Sequence, residues 1–308
     1  MNQIRIQRID SVEWLRFFAA LGIVWFHTNG AWGRSIGYAG LPIFLLVFCS
    51  LIVINFKEIG FTGFLRRRTV RLLIPWIFWS IVYGFVRVIK FYWFPKTSLS
   101  LFSSCDFLVG GSVHLWYLPF AFLVSVFLFI LCRYTTQSNH IYLSFYFAFF
   151  LSIGCLYFCS YIIKNYSIKV PFVQWLFVLP SVPMGYFLGS TVRFVKPSFR
   201  LVLLSLLLAA VCLVCLSLFW LGNMELVVPY GIGVFLTVLA YNIPFPFAET
   251  SRRLGSLTYG IYLIHPLVMT FVVQGLHFQI PLIKIISTFS LSAIIVYVLK
   301  NTIFRYVL

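Results

Sequence analysis

The strongest constraint on this chain is a series of long apolar runs with almost no charge inside them. About ten are distinct: Val12–Asn29, Tyr38–Asn55, Leu72–Phe94, Leu115–Cys132, Ile141–Ile163, Val173–Val192, Leu201–Leu221, Val227–Ile243, Ser256–Gly275 and Pro281–Lys300. Each is about as long as a helix that crosses a bilayer core. The runs are continuous rather than alternating, which excludes a transmembrane β-barrel. Of the 308 residues, 62% are hydrophobic and 9% are charged, whereas a soluble chain is nearer half apolar and a quarter charged. One domain of this length cannot bury so much apolar surface by itself, so lipid must cover the rest. A soluble enzyme, a disordered chain and a collagen-like chain are thereby excluded. The expected fold class is an all-α polytopic membrane protein of about ten transmembrane helices, with residues 1–308 as a single domain. Connections are too short to hold a separate soluble domain, and no internal repeat is visible.

Charge orients the spans. The 23 Lys and Arg against 6 Asp and Glu give a formal net charge of +17. In a soluble protein that excess would suggest nucleic acid. Here the positive-inside bias explains it first, and a pocket for an anionic substrate second; no nucleic-acid partner is expected. With the N-terminus in the cytoplasm, the inner segments hold fifteen basic residues: Arg5, Arg8, Lys57, Arg66, Arg67, Arg68, Arg71, Arg133, Arg193, Lys196, Arg200, Arg252, Arg253, Lys300 and Arg305. The outer segments hold seven: Arg34, Arg87, Lys90, Lys96, Lys164, Lys169 and Lys284. The expectation is therefore an even number of spans with both termini cytoplasmic. Aromatic residues near span ends, such as Trp76, Trp79, Tyr92 and Trp93, fit an interfacial belt. Cys212-x-x-Cys215 lies on one embedded run with no His or acidic residue near, so the pair reads as packing. The first run lacks a small-residue cleavage site and carries Arg16, so it reads as a retained span. No metal-ligand cluster, Ser/His/Asp arrangement or phosphate-cradling glycine loop is present, and no metal is expected.

Ionisable groups inside a span are costly and point to function. In the first run Arg16 and His27 are eleven positions apart, about three helical turns, and so share a face roughly 16 Å apart along the axis. Together they suggest one polar cavity, with His27 as its only deep imidazole. A second cluster is Arg66-Arg67-Arg68-Thr-Val-Arg71, followed by Pro75. Arg67 and Arg68 each share a helix face with Arg71. These arginines serve either as topology determinants or as an anion pocket, for which the bidentate guanidinium suits phosphate better than Lys does. Pro75 should loosen the helix just inside the membrane. Tyr259, Tyr262 and His265 repeat every three residues as a polar stripe, and His114-Leu-Trp116-Tyr117 opens the fourth run. Interhelical hydrogen bonding is the plainer account of the stripe. His140 and His277 are assigned nothing, and Asp106 and Glu225 read as solvated loop residues.

These segments carry a family resemblance. Arg16, ten residues and then His27 is similar to the first span of the acyltransferase-3 family of bacterial membrane acyltransferases. Gly40-Leu-Pro-Ile-Phe44-Leu-Leu-Val-Phe48 resembles that family's second span, and Arg68-Thr-Val-Arg71 with Pro75 resembles its Arg-x-x-Arg element. Leu115-Trp116-Tyr117-Leu118 and Tyr259-Gly-Ile-Tyr262-Leu-Ile-His265-Pro266 resemble its later signatures. There are departures: Glu13-Trp14-Leu15-Arg16 stands where relatives often have Asp-Gly-Leu-Arg, and Cys49-Ser50 where they often have Ser-Gly. Many relatives also carry a fused extracytoplasmic hydrolase-like domain, for which these residues leave no room.

The resemblance implies a multi-pass acyltransferase domain of the bacterial inner (plasma) membrane. It implies transfer of an acyl group, usually acetyl, from acetyl-CoA or another acyl-CoA to a hydroxyl of a lipid-linked glycan or surface polysaccharide. Membrane lipid, the acyl-CoA donor and the glycan acceptor are the expected partners, with no permanently bound cofactor. Arg67, Arg68 and Arg71 would hold the donor, and Arg16 and His27 would be catalytic, His27 as general base or as transient acyl acceptor. Trp116, Tyr117, Tyr259, Tyr262 and His265 would line the substrates. The alternative is a glycan or lipid transporter without chemistry, which would have no need of one basic imidazole.

Overall fold

The structure, a computed structural model, describes residues 9–57, 60–93, 106–137, 141–222 and 224–308. Arg5, Arg8, Lys96 and His140 lie outside the described residues, as do the side chains of Asp106 and Glu225. Every regular element among the described residues is helical. Helix α1 is Asp10–His27, α2 is the short Arg34–Tyr38 and α3 is Gly40–Ile54. Helix α4, Phe61–Arg68, passes through one π-helical turn, Thr69–Leu73, into α5, Ile74–Trp93. A four-residue α6, Asp106–Val109, and a 3-10 turn, Val113–Trp116, lead into α7, Tyr117–Gln137. Then follow α8 (Ile141–Asn165), α9 (Phe172–Val178), α10 (Ser181–Phe194), α11 (Pro197–Trp220) and α12 (Met224–Asn242). Helix α13, Ala248–Gly255, meets α14, Thr258–Thr270, at a bend of 48°. A π turn, Phe271–Gly275, closes α14, and α15 is Pro281–Leu299. A final 3-10 turn covers Ile303–Tyr306.

Each apolar run, where described, falls on one helix or on two successive ones, so the chain is an all-α polytopic membrane protein. Among the described residues seven helices are long and apolar enough to cross a membrane, or eight if the bent α13–α14 pair is one span. Helix α1, which carries Asp10, Glu13 and Arg16, and the shorter Leu226–Asn242 are not among the seven. Asp106 and Glu225, expected in loops, begin or lie within helices.

Burial separates inner from outer helices. The Arg34–Ile54 segment is 72% buried, whereas Phe61–Lys90 and Pro281–Leu299 are each 22% buried. On α5, Ile74, Ile77, Ile81, Phe85, Val88 and Tyr92 are exposed at steps of three or four residues. That is one helix face, apolar and turned outward, as a lipid-facing surface is. The inner helix α3 packs against α10, α1 and α12. Close approach fixes α1 against α2, which leads into α3: a side-chain carbon at Gly37 would lie 2.6 Å from the Gly22 carbonyl oxygen. Only a residue without a side chain fits, as is usual where helices in membranes touch backbone to backbone. This contact sits between Arg16 and His27 along α1.

Topology is open to a direct test. Reporter fusions after Arg133, Arg200 and Arg253 are expected to report the cytoplasm, because each follows an inner basic segment. Two of the three reporting the outer side would overturn the N-in orientation.

Candidate active site

Four guanidinium groups converge on one cavity of about 890 Å³. Arg16 comes from α1, Arg68 from the end of α4, Arg71 from the π turn and Arg305 from the final 3-10 turn. Glu13 is the single acidic side chain in this lining among the described residues, and its Oε2 accepts from Arg16 Nη1 at 2.9 Å. The pair is three residues apart on α1, so one turn of helix brings them together. A side-chain carbon at Gly255 would lie 2.9 Å from Glu13 Cβ, so α13 can pass Glu13 only as glycine. The net charge of the lining is therefore strongly positive.

Arg68 stacks over two rings, 5.6 Å from the Phe48 centroid and 5.2 Å from that of Phe64. Such cation–π contacts hold the guanidinium flat without using its N–H donors. Arg71 is placed by its neighbour. Pro75 has no N–H to offer the carbonyl four residues back, which is that of Arg71. The Arg71 carbonyl accepts from the Tyr259 hydroxyl instead, at 3.1 Å. The same stretch resets the phase of the arginines. The wider π turn comes between Arg67 and Arg71, so the shared face of a regular α-helix is lost. Arg68 and Arg71 line the cavity, while Arg67 is exposed and lines neither cavity.

His27 is elsewhere. It lines a second cavity of about 310 Å³, together with Tyr83, Arg87, Lys90, His114 and Thr270. The expected single polar cavity holding both Arg16 and His27 is thus corrected to two. They lie at opposite ends of the same three helices. Helices α1, α5 and α14 give Arg16, Pro75 and Tyr259 to the large cavity from their N-terminal ends, and His27, Lys90 and Thr270 to the small one from their C-terminal ends. The three helices are therefore parallel, as alternating spans require of the first, third and ninth runs. Lys90 Nζ donates to Thr270 Oγ1 at 3.4 Å, tying α5 to α14 at the small cavity.

At Tyr262 the cavities are separated by that ring and by His114 beside it, with centroids 5.7 Å apart. Tyr262 lines the large cavity, and its hydroxyl donates to the carbonyl of His114, which lines the small one. Tyr117 packs against Tyr262 with centroids 5.6 Å apart, and Phe44 at 6.3 Å. Both line the large cavity. Trp116, expected beside Tyr117 in the substrate lining, lines neither cavity and is buried against Phe120 with centroids 6.2 Å apart. Adjacent residues at a helix start point about 100° apart, so one faces the cavity and the other the core.

Behind the wall lie three imidazoles. His265 is fully buried, with its ring centroid 5.4 Å from His27 and 5.6 Å from His114. His27 is thus not the only deep imidazole, as its sequence position suggested. His114 uses both ring nitrogens: Nε2 donates to the Leu263 carbonyl at 3.3 Å, and Nδ1 accepts from Ser112 Oγ at 2.9 Å. His265 Nδ1 donates to the Tyr262 carbonyl at 2.8 Å. That carbonyl is free because Pro266, four residues on, has no N–H. No protein hydrogen bond reaches His27 or His265 Nε2 among the described residues.

The three carboxylates whose side chains are described all pair with arginine away from His27. Asp10 accepts from Arg252 at 3.0 Å, Glu13 from Arg16, and Glu249 from Arg253. Among the described residues no group of three or more His, Cys, Asp and Glu is placed to hold a metal ion. Sequence reasoning missed His114 and Arg305 as site residues. His114 was visible as an ionisable group opening a span, but its nearness to His265 rests on the packing of residues far apart in sequence.

A family model described as an acyltransferase domain, Acyl_transf_3, matches residues 9–300. No curated protein and no solved structure matches the chain.

Proposed function

The chain belongs to the Acyl_transf_3 acyltransferase family, and from that premise we propose that it moves an acyl group, acetyl above all, from acyl-CoA to a hydroxyl of a lipid-linked glycan or surface polysaccharide. That family makes it a membrane acyltransferase; the donor, the acceptor and the bacterial inner membrane are the proposal. The observation that carries the reading is the pair of cavities back to back. The large one presents Arg16, Arg68, Arg71 and Arg305, with one carboxylate already paired. Coenzyme A carries a pyrophosphate and a ribose phosphate, and guanidinium groups bind such anions through charge-assisted, bidentate hydrogen bonds. The small cavity presents His27, whose ring has no protein hydrogen bond among the described residues.

The donor binds in the large cavity from the cytoplasm, and its uncharged thioester end passes Tyr117 and Tyr262 into the small cavity. The acceptor hydroxyl enters the small cavity. His27 takes the hydroxyl proton as oxygen attacks the acyl carbon; the C–O bond forms, the C–S bond breaks, and the proton passes to the departing thiolate. His27 lies across the wall from Arg16, Arg68, Arg71 and Arg305, on the proposed acceptor side, which favours general base over acyl carrier. A glycan or lipid transporter without chemistry would use the same basic and aromatic lining, but the family match is to enzymes.

Mass spectrometry of surface glycans tests the reading. Cells with the protein are expected to show acyl-modified sugars that cells without it lack. Identical glycans in the two would remove the proposed acceptor class.

A further inference from the structure

A basic imidazole in an enzyme normally has a partner that holds its ring and its tautomer, usually a carboxylate. Here no described carboxylate reaches His27. We propose that His265 fills that place, its Nε2 accepting the N–H that His27 turns away from substrate, so that the base of this site is a pair of histidines. The inference rests on the acyltransferase reading and deepens it.

The argument begins with the dipeptide His265-Pro266. Pro266 removes the N–H that would bond the Tyr262 carbonyl, and His265 Nδ1 lies 2.8 Å from that oxygen. A carbonyl can only accept, so Nδ1 carries the proton and Nε2 carries the lone pair. The ring is thereby fixed as an acceptor that faces away from its own helix. His265 is fully buried, and no protein group bonds Nε2. A buried polar atom without a partner is uncommon and calls for a role. Two imidazoles flank it. His114 has spent both nitrogens on Leu263 and Ser112. His27, 5.4 Å away between ring centroids, has spent neither. A small rotation of the exposed His27 ring makes the N–H to Nε2 hydrogen bond, and its other nitrogen then presents a lone pair to the small cavity. When His27 takes the hydroxyl proton, the positive charge is shared across that hydrogen bond, and the proton leaves again to the thiolate. No group outside the donor, the acceptor and the two rings is consumed.

Two substitutions separate this positioning role from simple packing. His265→Asn keeps a donor for the Tyr262 carbonyl but has no atom at the Nε2 place. His265→Gln restores a polar acceptor there. The Asn variant is expected to lose about 10- to 100-fold in kcat, the range of one hydrogen bond to a charged group, with the KM for acyl-CoA unchanged. The Gln variant is expected to recover most of that loss. Asn turning over at the wild-type rate, or Asn and Gln impaired alike, would overturn the pairing. A second readout does not need turnover: in ¹⁵N-histidine NMR of the purified protein, the ring signals of His27 are expected to move on His265→Asn. Unmoved signals also overturn the pairing. If His27 signals move while wild-type protein acylates no hydroxyl, the histidine pair stands and the proposed reaction falls.

Discussion

Acyl transfer by His27→Ala is expected to fall at least ~10²-fold below wild type, the contribution of a positioned general base, while the variant inserts and accumulates normally. The ring is exposed to the small cavity, and the described contacts it makes are with the Phe26 and His265 rings, at 5.2 Å and 5.4 Å between centroids. Little packing is lost with it. The backbone contact at Gly22 and Gly37, one to two turns earlier, keeps α1 seated. The measurement is acyl content of the glycan at matched protein level, or turnover of purified protein with acyl-CoA. Transfer near the wild-type level would end the catalytic assignment of His27 and promote the transporter. If His27 carried the acyl group itself, the loss would be larger still, since a two-step route has no path without its nucleophile.

Replacing both Arg68 and Arg71 with Lys is expected to raise the KM for acyl-CoA by ~10- to 10²-fold, the worth of one or two charge-assisted hydrogen bonds, and to leave kcat within a few-fold. Lys keeps the charge and so preserves insertion under the positive-inside rule. What it loses is the planar fork and, at Arg68, the flat packing over Phe48 and Phe64. An unchanged KM would reduce the two arginines to topology signals, the reading that sequence alone left open beside the anion pocket.

The helices were legible because lipid imposes length and continuity on every span. The cavities were less so, because they depend on phase and on distant packing. Arg67, Arg68 and Arg71 illustrate the first difficulty. Spacings of three and four residues assume a regular α-helix, and the π turn at Thr69–Leu73 breaks that assumption. Pro75 and the Arg-rich approach to it marked the place, but not the number of residues in the turn. Arg16 and His27 illustrate the second. Their shared face was readable from an eleven-residue interval; the ring of Tyr262 that divides the space between them comes from a helix more than two hundred residues away. Arg305 reads as one more inner charge until the segment after α15 is seen folded back, with the Val307 carbonyl accepting from Trp79 Nε1 at 2.8 Å. The acceptor state of His265 could have been read earlier, since a proline four residues after a carbonyl always leaves that carbonyl in want of a donor.

The partition at Tyr262 and His114 has an electrical consequence. Elsewhere the membrane potential falls across about 30 Å of hydrocarbon. Where the two cavities lie at opposite ends of α1, α5 and α14, the drop concentrates across the partition between them. A full charge carried over it would do nearly the whole ~2.3 kcal/mol of work per 100 mV. The phosphates of the donor stay with Arg16, Arg68, Arg71 and Arg305, and what passes the partition in the proposed reaction is the uncharged thioester arm, which withdraws as a neutral thiol once His27 has returned the proton. On the proposed route no net charge would pass from one cavity to the other, so the membrane potential would neither drive nor oppose the transfer.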